Sequence, residues 1–287
     1  ENVLIGGLAG DALTDADFNT AVGYSALTAD TLGSKSVAVG TAALQAQNFT
    51  TATDSFNTAV GFTAGVAVTT GINNTLLGSA SGNDLTDADF NTALGANSLR
   101  EDTLGSRSTA LGYYALGNQN FTTATDTYNT AVGYHAGIGV STGIENPLMG
   151  GLAGDALTDA DYNVALGARA LSSDTLGSTS VAIGRSALES QNFTTATDSY
   201  NVAVGRSAGV AVTTGVQNTL IGGLAGDALT DSDRNVAIGY LALSTDTLGA
   251  RNVAIGRSSL ENQNFTTATD SYNVAVGYNS GASVTTA

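Results

Sequence analysis

Apolar and polar residues alternate within a five-residue motif that recurs sixteen times along the chain. In most copies Asn or Ser comes first, then Val or Thr, then Ala or Leu, then an aliphatic residue, and Gly comes last. Such alternation with β-branched residues is typical of short β-strands. We therefore predict an all-β protein with one strand in each motif. The copies begin at residues 2, 19, 36, 57, 74, 91, 108, 129, 146, 163, 180, 201, 218, 235, 252 and 273.

The spacing of the motifs is itself periodic. Three intervals of 17 and one of 21 make a super-repeat with a period of 72, and it occurs four times. Self-similarity at a fixed period is typical of solenoids and fibres, in which each coil contacts only its neighbours. We predict a single continuous array over residues 1–287, with super-repeats at 2–73, 74–145, 146–217 and 218–287. Neither end resembles a capping repeat, so we expect a window of a longer fibre.

Each coil is predicted to hold a second short strand directly after the motif, as at 24–27 and 185–188, and then a polar loop. Strand, tight turn, strand and loop form one coil of a parallel β-roll. The motif glycine must then take a positive φ or lie against the next coil, because a Cβ would obstruct both arrangements. The glycines assigned this structural role include Gly23, Gly40, Gly95, Gly167, Gly239 and Gly256.

A single roll of this kind encloses a thin core, because the third motif residue is Ala in most copies. It would also leave a long apolar face in water, which monomeric soluble proteins rarely do. We therefore expect copies of the chain to associate along that face, preferably as a side-by-side homotrimer and otherwise as a filament.

The motifs at 180–184, 235–239 and 252–256, which read Ser or Asn followed by Val-Ala-Ile-Gly, resemble the head repeats of trimeric autotransporter adhesins. Similar repeats occur in bacteriophage tail fibres. The resemblance implies a left-handed parallel β-roll, with three rolls packed side by side about a common axis. It extends over essentially every coil, although both coil lengths in this chain are greater than those usual in that family.

Composition excludes several function classes. The net charge is −16, with one lysine and eight scattered arginines, so no nucleic-acid partner is expected. No apolar run approaches the roughly 18 residues of a membrane span, so no membrane contact is expected within this segment. The chain has no Cys and a single His, His135, which leaves neither a cysteine nucleophile nor a histidine metal site. We predict that the protein is not an enzyme.

Pairs of aspartates two residues apart recur once per super-repeat. In an extended segment both carboxylates share a face and could bind one Ca²⁺, which is the one cofactor considered. Alternatively they bond to the backbone and shape the turn, and we favour this interpretation because the complete calcium-loop pattern is absent. The pairs are Asp15 and Asp17, Asp87 and Asp89, Asp159 and Asp161, and Asp231 and Asp233.

Two sets of side chains are candidates for binding a host-surface glycan or protein, because aromatic and Arg side chains often anchor interfaces. The alternatives, which we favour, are that the first set covers the open side of the thin core and that the second set has no binding role. The first set lies in the loop of the longest coil of each super-repeat, and the second follows the motif glycine. They are Phe49, Phe121, Phe193 and Phe265, and Tyr24, Tyr134, Arg185, Arg206, Tyr240, Arg257 and Tyr278.

We predict a non-enzymatic extracellular fibre segment, located at a cell or virion surface. It would form the structural shaft or head of an adhesin or of a phage host-recognition tail fibre. The alternative is a self-assembling surface filament or surface-layer element. An ice-binding solenoid ranks third, because motif position two alternates between Thr and Val and the loops interrupt a flat surface.

Overall fold

The computed structural model describes residues 1–286, and within them all regular secondary structure is β, with no helix. The chain divides into two units, Glu1–Thr142 and Gly143–Ala287. Each unit is a parallel β-solenoid with eight three-residue strands in its main sheet, so that the two units together have about sixteen turns. The predicted all-β solenoid is therefore confirmed.

Each unit contains twelve short strands within the described residues. In the first unit they are β1 (Val3–Ile5), β2 (Thr20–Val22), β3 (Gly33–Ser34), β4 (Val37–Val39), β5 (Thr53–Asp54), β6 (Thr58–Val60), β7 (Thr75–Leu77), β8 (Thr92–Leu94), β9 (Gly105–Ser106), β10 (Thr109–Leu111), β11 (Thr125–Asp126) and β12 (Thr130–Val132). In the second unit they are β13 (Pro147–Met149), β14 (Val164–Leu166), β15 (Gly177–Ser178), β16 (Val181–Ile183), β17 (Thr197–Asp198), β18 (Val202–Val204), β19 (Thr219–Ile221), β20 (Val236–Ile238), β21 (Gly249–Ala250), β22 (Val253–Ile255), β23 (Thr269–Asp270) and β24 (Val274–Val276).

The three-residue strands pair in parallel at equal motif positions, so that Ala21 lies beside Ala38 and Leu76 beside Ala93. The third motif residue faces inward, and all four of these side chains are fully buried. The second and fourth residues face outward, because successive side chains of a strand point to opposite faces. The interior is accordingly a narrow stack of Ala and Leu.

The predicted second strand is wrong. The segment after each motif glycine is a series of turns in which alternate residues are left-handed, as at Ser25 (φ 55°) and Leu27 (φ 53°). A β-strand needs extended φ at every residue, so these residues exclude one. The segment still aligns between coils, because Leu27 donates its backbone N–H to the carbonyl oxygen of Ala43 at 3.0 Å. A second region of pairing lies farther along, between two-residue strands such as β3 and β5.

A ladder of buried asparagines explains the first motif position. Asn91 Oδ1 accepts the backbone N–H of Ser108 at 2.8 Å, and its Nδ2 donates to the carbonyl oxygen of Gly105 at 2.8 Å. Asn74 repeats the arrangement one coil earlier, with bonds to the N–H of Asn91 and to the carbonyl oxygen of Ala88. Each side chain joins two coils and provides partners for buried backbone groups, which would otherwise destabilise the fold.

Candidate functional site

The outward positions of the main sheet form an exposed face in each unit. In the first unit the fourth motif position carries aliphatic residues, of which Val60 and Leu94 are 38% and 41% exposed. Beside them the second position carries threonines on five consecutive strands, each paired with the next across the sheet, and we call this set the threonine file. Its members are Thr58, Thr75, Thr92, Thr109 and Thr130. In the second unit Val occupies the second position in most strands. This surface, called the sheet face below, is apolar for most of its extent.

A second row of side chains stands at the residue just before each motif, beside the sheet face. We call it the pre-motif row. All of its members have φ between 51° and 64°. Their backbones align from coil to coil. The backbone N–H of Lys35 donates to the carbonyl oxygen of Asp17, and that of Arg107 donates to the carbonyl oxygen of Asp89, both at 3.0 Å. The members are Phe18, Lys35, Phe56, Asn73, Phe90, Arg107 and Tyr128 in the first unit, and Glu145, Tyr162, Thr179, Tyr200, Gln217, Arg234, Arg251 and Tyr272 in the second.

Cations of the pre-motif row lie against its aromatic rings. The Arg107 guanidinium is 4.9 Å from the ring centroid of Phe90 and 6.0 Å from that of Tyr128. The same guanidinium pairs with Asp126, with 2.8 Å between Nε and the carboxylate. Lys35 likewise pairs with Asp54 in the first unit. These two cations are therefore neutralised by carboxylates, while the neighbouring rings remain exposed.

The residues predicted after the motif glycine all lie on the surface. Tyr134 stacks on His135 with ring centroids 3.9 Å apart. Arg257 lies between two rings of the same column, 6.0 Å from the centroid of Tyr240 and 5.7 Å from that of Tyr278. The other members are also on the surface, namely Tyr24, Arg185 and Arg206. Of the predicted residues, the structure thus brings Tyr240, Arg257 and Tyr278 together.

The phenylalanines of the long loop are inside the coil. Phe49, Phe121 and Phe193 are only 5–6% exposed, and Phe265 is half-buried. The burial of the first three rings agrees with the alternative that they cover the core. The aromatic residue at the other end of the same loop is exposed, as at Tyr128, and it belongs to the pre-motif row.

A buried polar cluster that sequence reasoning missed lies under these phenylalanines. Asp102 accepts a hydrogen bond from Gln119 Nε2 at 2.5 Å and two more from the backbone N–H groups of Gly105 and Phe121. Gln119 Oε1 in turn accepts from Asn129 Nδ2 at 2.9 Å. Burial of the carboxylate raises the pKa of Asp102, against the opposing effect of these hydrogen bonds. The sequence does carry a signal for this cluster, because an Asp and a Gln occupy equivalent positions of two successive coils in every super-repeat.

The paired aspartates bond to the preceding coil rather than within their own turn. Asp89 Oδ1 accepts the backbone N–H of Ile72 at 2.7 Å, and Asp87 Oδ1 accepts from Thr70 Oγ1 at 2.6 Å. Desolvation by burial raises the pKa of Asp89, and the negative charge of Asp87 adds to the effect. The copies Asp161 and Asp233 accept backbone N–H groups in the same way, whereas Asp15 and Asp17 are exposed. Across residues 1–286, no cluster of three or more His, Cys, Asp or Glu side chains is placed to hold a metal ion.

No cavity is found in the described part of the chain. Residues 1–286 also include no helix with the length and apolar character needed to cross a membrane. The chain matches no model of a known protein family, no curated protein and no solved structure.

Proposed function

We propose that this chain is a segment of a non-enzymatic extracellular fibre, built as a left-handed β-roll in which three shorter coils and one longer coil alternate. Three copies assemble side by side along the sheet face. The assembly forms the shaft or head of an adhesin or of a phage host-recognition fibre, at a cell or virion surface. The exposed apolar sheet face is the observation that carries this proposal.

The energetics of the sheet face favour association. Each unit has eight motif strands, and each strand presents two outward side chains. Burying the aliphatic side chains among them contributes on the order of 1 kcal/mol apiece, because they are already partly covered. The sum over both units exceeds the roughly 4–15 kcal/mol that association costs in lost freedom. The resemblance to trimeric adhesin repeats supports three copies in the assembly.

The test is the mass of the chain in solution, measured by multi-angle light scattering. We expect three times the chain mass of 28.5 kDa. The double variant Val60→Lys and Leu94→Lys places two charges on the sheet face without altering the interior. We expect it to be monomeric with an unchanged β-type circular dichroism spectrum.

A matched control places two lysines in exposed loops, as Thr50→Lys and Thr122→Lys. This variant should keep the mass of the unmodified chain. A folded, monomeric unmodified chain would contradict the proposal. Open-ended assemblies whose mass grows with concentration would replace the trimer with a self-assembling filament.

The threonine file of the first unit favours one further candidate, an ice-binding surface. Its five threonines lie on consecutive strands, so the alternation of Thr and Val at motif position two does not extend to this part of the sheet. Regular strand spacing repeats their hydroxyl groups at about 4.8 Å. Thermal hysteresis that is lost in Thr92→Lys would support this role, and freezing behaviour equal to that of a control protein would exclude it.

A further inference from the structure

We propose that the aromatic members of the pre-motif row bind an extended, neutral, β-linked polysaccharide by stacking against its sugar rings. The inference rests on the proposed role as a surface fibre and names the chemistry of its partner. It concerns different residues from those first considered for a glycan, because Phe49, Phe121 and Phe193 are buried.

The spacing of the rings is the first argument. In the first unit Phe18, Phe56, Phe90 and Tyr128 occupy every second coil. Adjacent coils are separated by the strand spacing of about 4.8 Å, so the rings recur at about 10 Å. An extended β-linked polysaccharide advances by about one strand spacing per sugar. Every second sugar of such a chain would therefore meet an aromatic ring.

The second argument is that folding does not explain aromatic residues at these positions. The four rings of the first unit are 45–57% exposed, so they contribute little to the core. Their backbones have φ of 51–61°, a left-handed conformation that favours Gly and Asn. Among the members of the row, Asn73 is the one that is either Gly or Asn. Bulky residues that are kept in a disfavoured conformation without burial indicate a surface role.

The polar groups beside the rings suit sugar hydroxyls. An aromatic ring offers an apolar face on which the C–H face of a sugar can pack, while hydroxyl groups at the sugar edge need donors and acceptors. Asp54 and Lys35 flank Phe56, and Asp126 and Arg107 flank Phe90 and Tyr128.

The charge pattern selects a neutral ligand. Each of these cations is already paired with a carboxylate, and the whole chain carries a net charge of −16. An anionic polysaccharide would meet a repulsive field at this surface. Neutral glycans avoid the repulsion and retain the stacking, so the occupant we infer is a neutral chain such as a β-1,4-linked glucan or chitin.

The experiment is calorimetric titration of the full chain with cellohexaose and chitohexaose. We expect one of them to bind, with affinity rising from the disaccharide to the hexasaccharide as successive rings are engaged. The double variant Phe56→Ala and Phe90→Ala should bind at least tenfold more weakly. The control variant Phe62→Ala and Tyr113→Ala removes two exposed rings after the motif glycine and should bind as the unmodified chain does. An anionic alginate oligosaccharide should not bind.

Failure of both hexasaccharides to bind would overturn the inference, as would equal weakening by the control variant. Scattering mass measured on the same samples separates this inference from the fibre proposal. If the row variant loses its oligomeric mass and no glycan binds, the row serves self-association, and the glycan inference fails while the fibre proposal stands. If a monomeric chain binds the glycan through the row, the inference holds and the trimer fails.

Discussion

A Cβ added to Gly65 would lie 2.7 Å from Leu76 Cδ1, so the glycine of one coil leaves room for the leucine of the next. The strand of the same coil also carries a small residue, Ala59, and Leu44 stands at the place of Gly65 in the preceding coil, with its Cδ2 3.1 Å from the same Cβ position. The backbone at that place is left-handed in both coils, with φ of 58° at Gly65 and 47° at Leu44. The leucines of the two neighbouring coils thus fill the space beside Ala59 and Gly65 and keep the core close-packed.

Gly65→Ala should reveal this packing between coils in a double-mutant cycle. We expect a loss of about 2 kcal/mol in the unmodified chain, from overpacking and from a left-handed alanine. In a Leu76→Ala background the loss should fall to about 1 kcal/mol, because the shortest clash is removed and backbone strain is the main cost that remains. Urea unfolding measures each corner of the cycle. Leu27→Ala, which removes a leucine not in contact with Gly65, should combine additively, and an equal loss in both backgrounds would refute the coupling.

Gly167→Val should be far more damaging than Thr109→Val. Gly167 has φ of +139°, and a Cβ there would lie 2.6 Å from the carbonyl carbon of Gly184, so valine meets both strain and the backbone of the next coil. We expect a loss of about 3 kcal/mol or more, against less than about 0.5 kcal/mol for the outward-facing Thr109. Comparable melting temperatures for the two variants would show that the glycine column is not required.

Asn91→Ala should break one rung of the asparagine ladder. It removes the bonds to the N–H of Ser108 and the carbonyl oxygen of Gly105 and leaves two buried backbone groups without these partners. We expect a loss of about 2–4 kcal/mol in chemical unfolding. Asn118→Ala, at an exposed position of the next coil, serves as the control and should change stability by less than about 1 kcal/mol. A similar loss for both variants would argue against the ladder.

Mild acid should stabilise the fold. Burial is the main cause that raises the pKa of four aspartates in the folded chain, namely Asp89, Asp102, Asp161 and Asp227. The folded state therefore binds these protons more tightly than the unfolded state, whose aspartates titrate near the ordinary value of 3.8. The stabilisation that comes from protonating these four aspartates is complete below the unfolded-state pKa and is lost as the pH rises through their folded-state pKa values.

We accordingly expect a higher melting temperature at about pH 4.5 than at about pH 7. Asp102→Asn should flatten this dependence, whereas the control Thr50→Asn, at an exposed position that does not titrate, should leave it unchanged. A melting temperature that falls on mild acidification would contradict the assignment.

Calcium should have little effect on stability. The oxygens of Asp87 and Asp89 already accept hydrogen bonds from the preceding coil, and Ca²⁺ requires six to eight oxygen ligands. We expect the melting temperature in millimolar Ca²⁺ and in EGTA to agree within about 1 °C. A clear loss of stability on chelation, absent in Asp87→Asn, would establish a calcium site at this pair.

The sequence by itself determined the strands of the main sheet and the need for glycine after them. Both follow from local rules, because the period-two pattern places alternate residues on opposite faces and the same geometry repeats with each motif copy. It also indicated a thin core, since Ala occupies the inward position in most strands. The burial of Phe121 was one of two open alternatives, and no local pattern chose between them.

Only the tertiary structure decided the path of the chain after each glycine and the surface that results. Leucine is a residue type that occurs in strands. The backbone of Leu27 nevertheless has a left-handed φ, because its N–H must reach the carbonyl oxygen of Ala43 in the next coil. The same inter-coil bonding brings Phe90, Arg107 and Tyr128 into one row, although each lies a full coil from the next along the chain. Contacts at that separation arise from stacking of coils, and residue preferences within a single coil do not encode them.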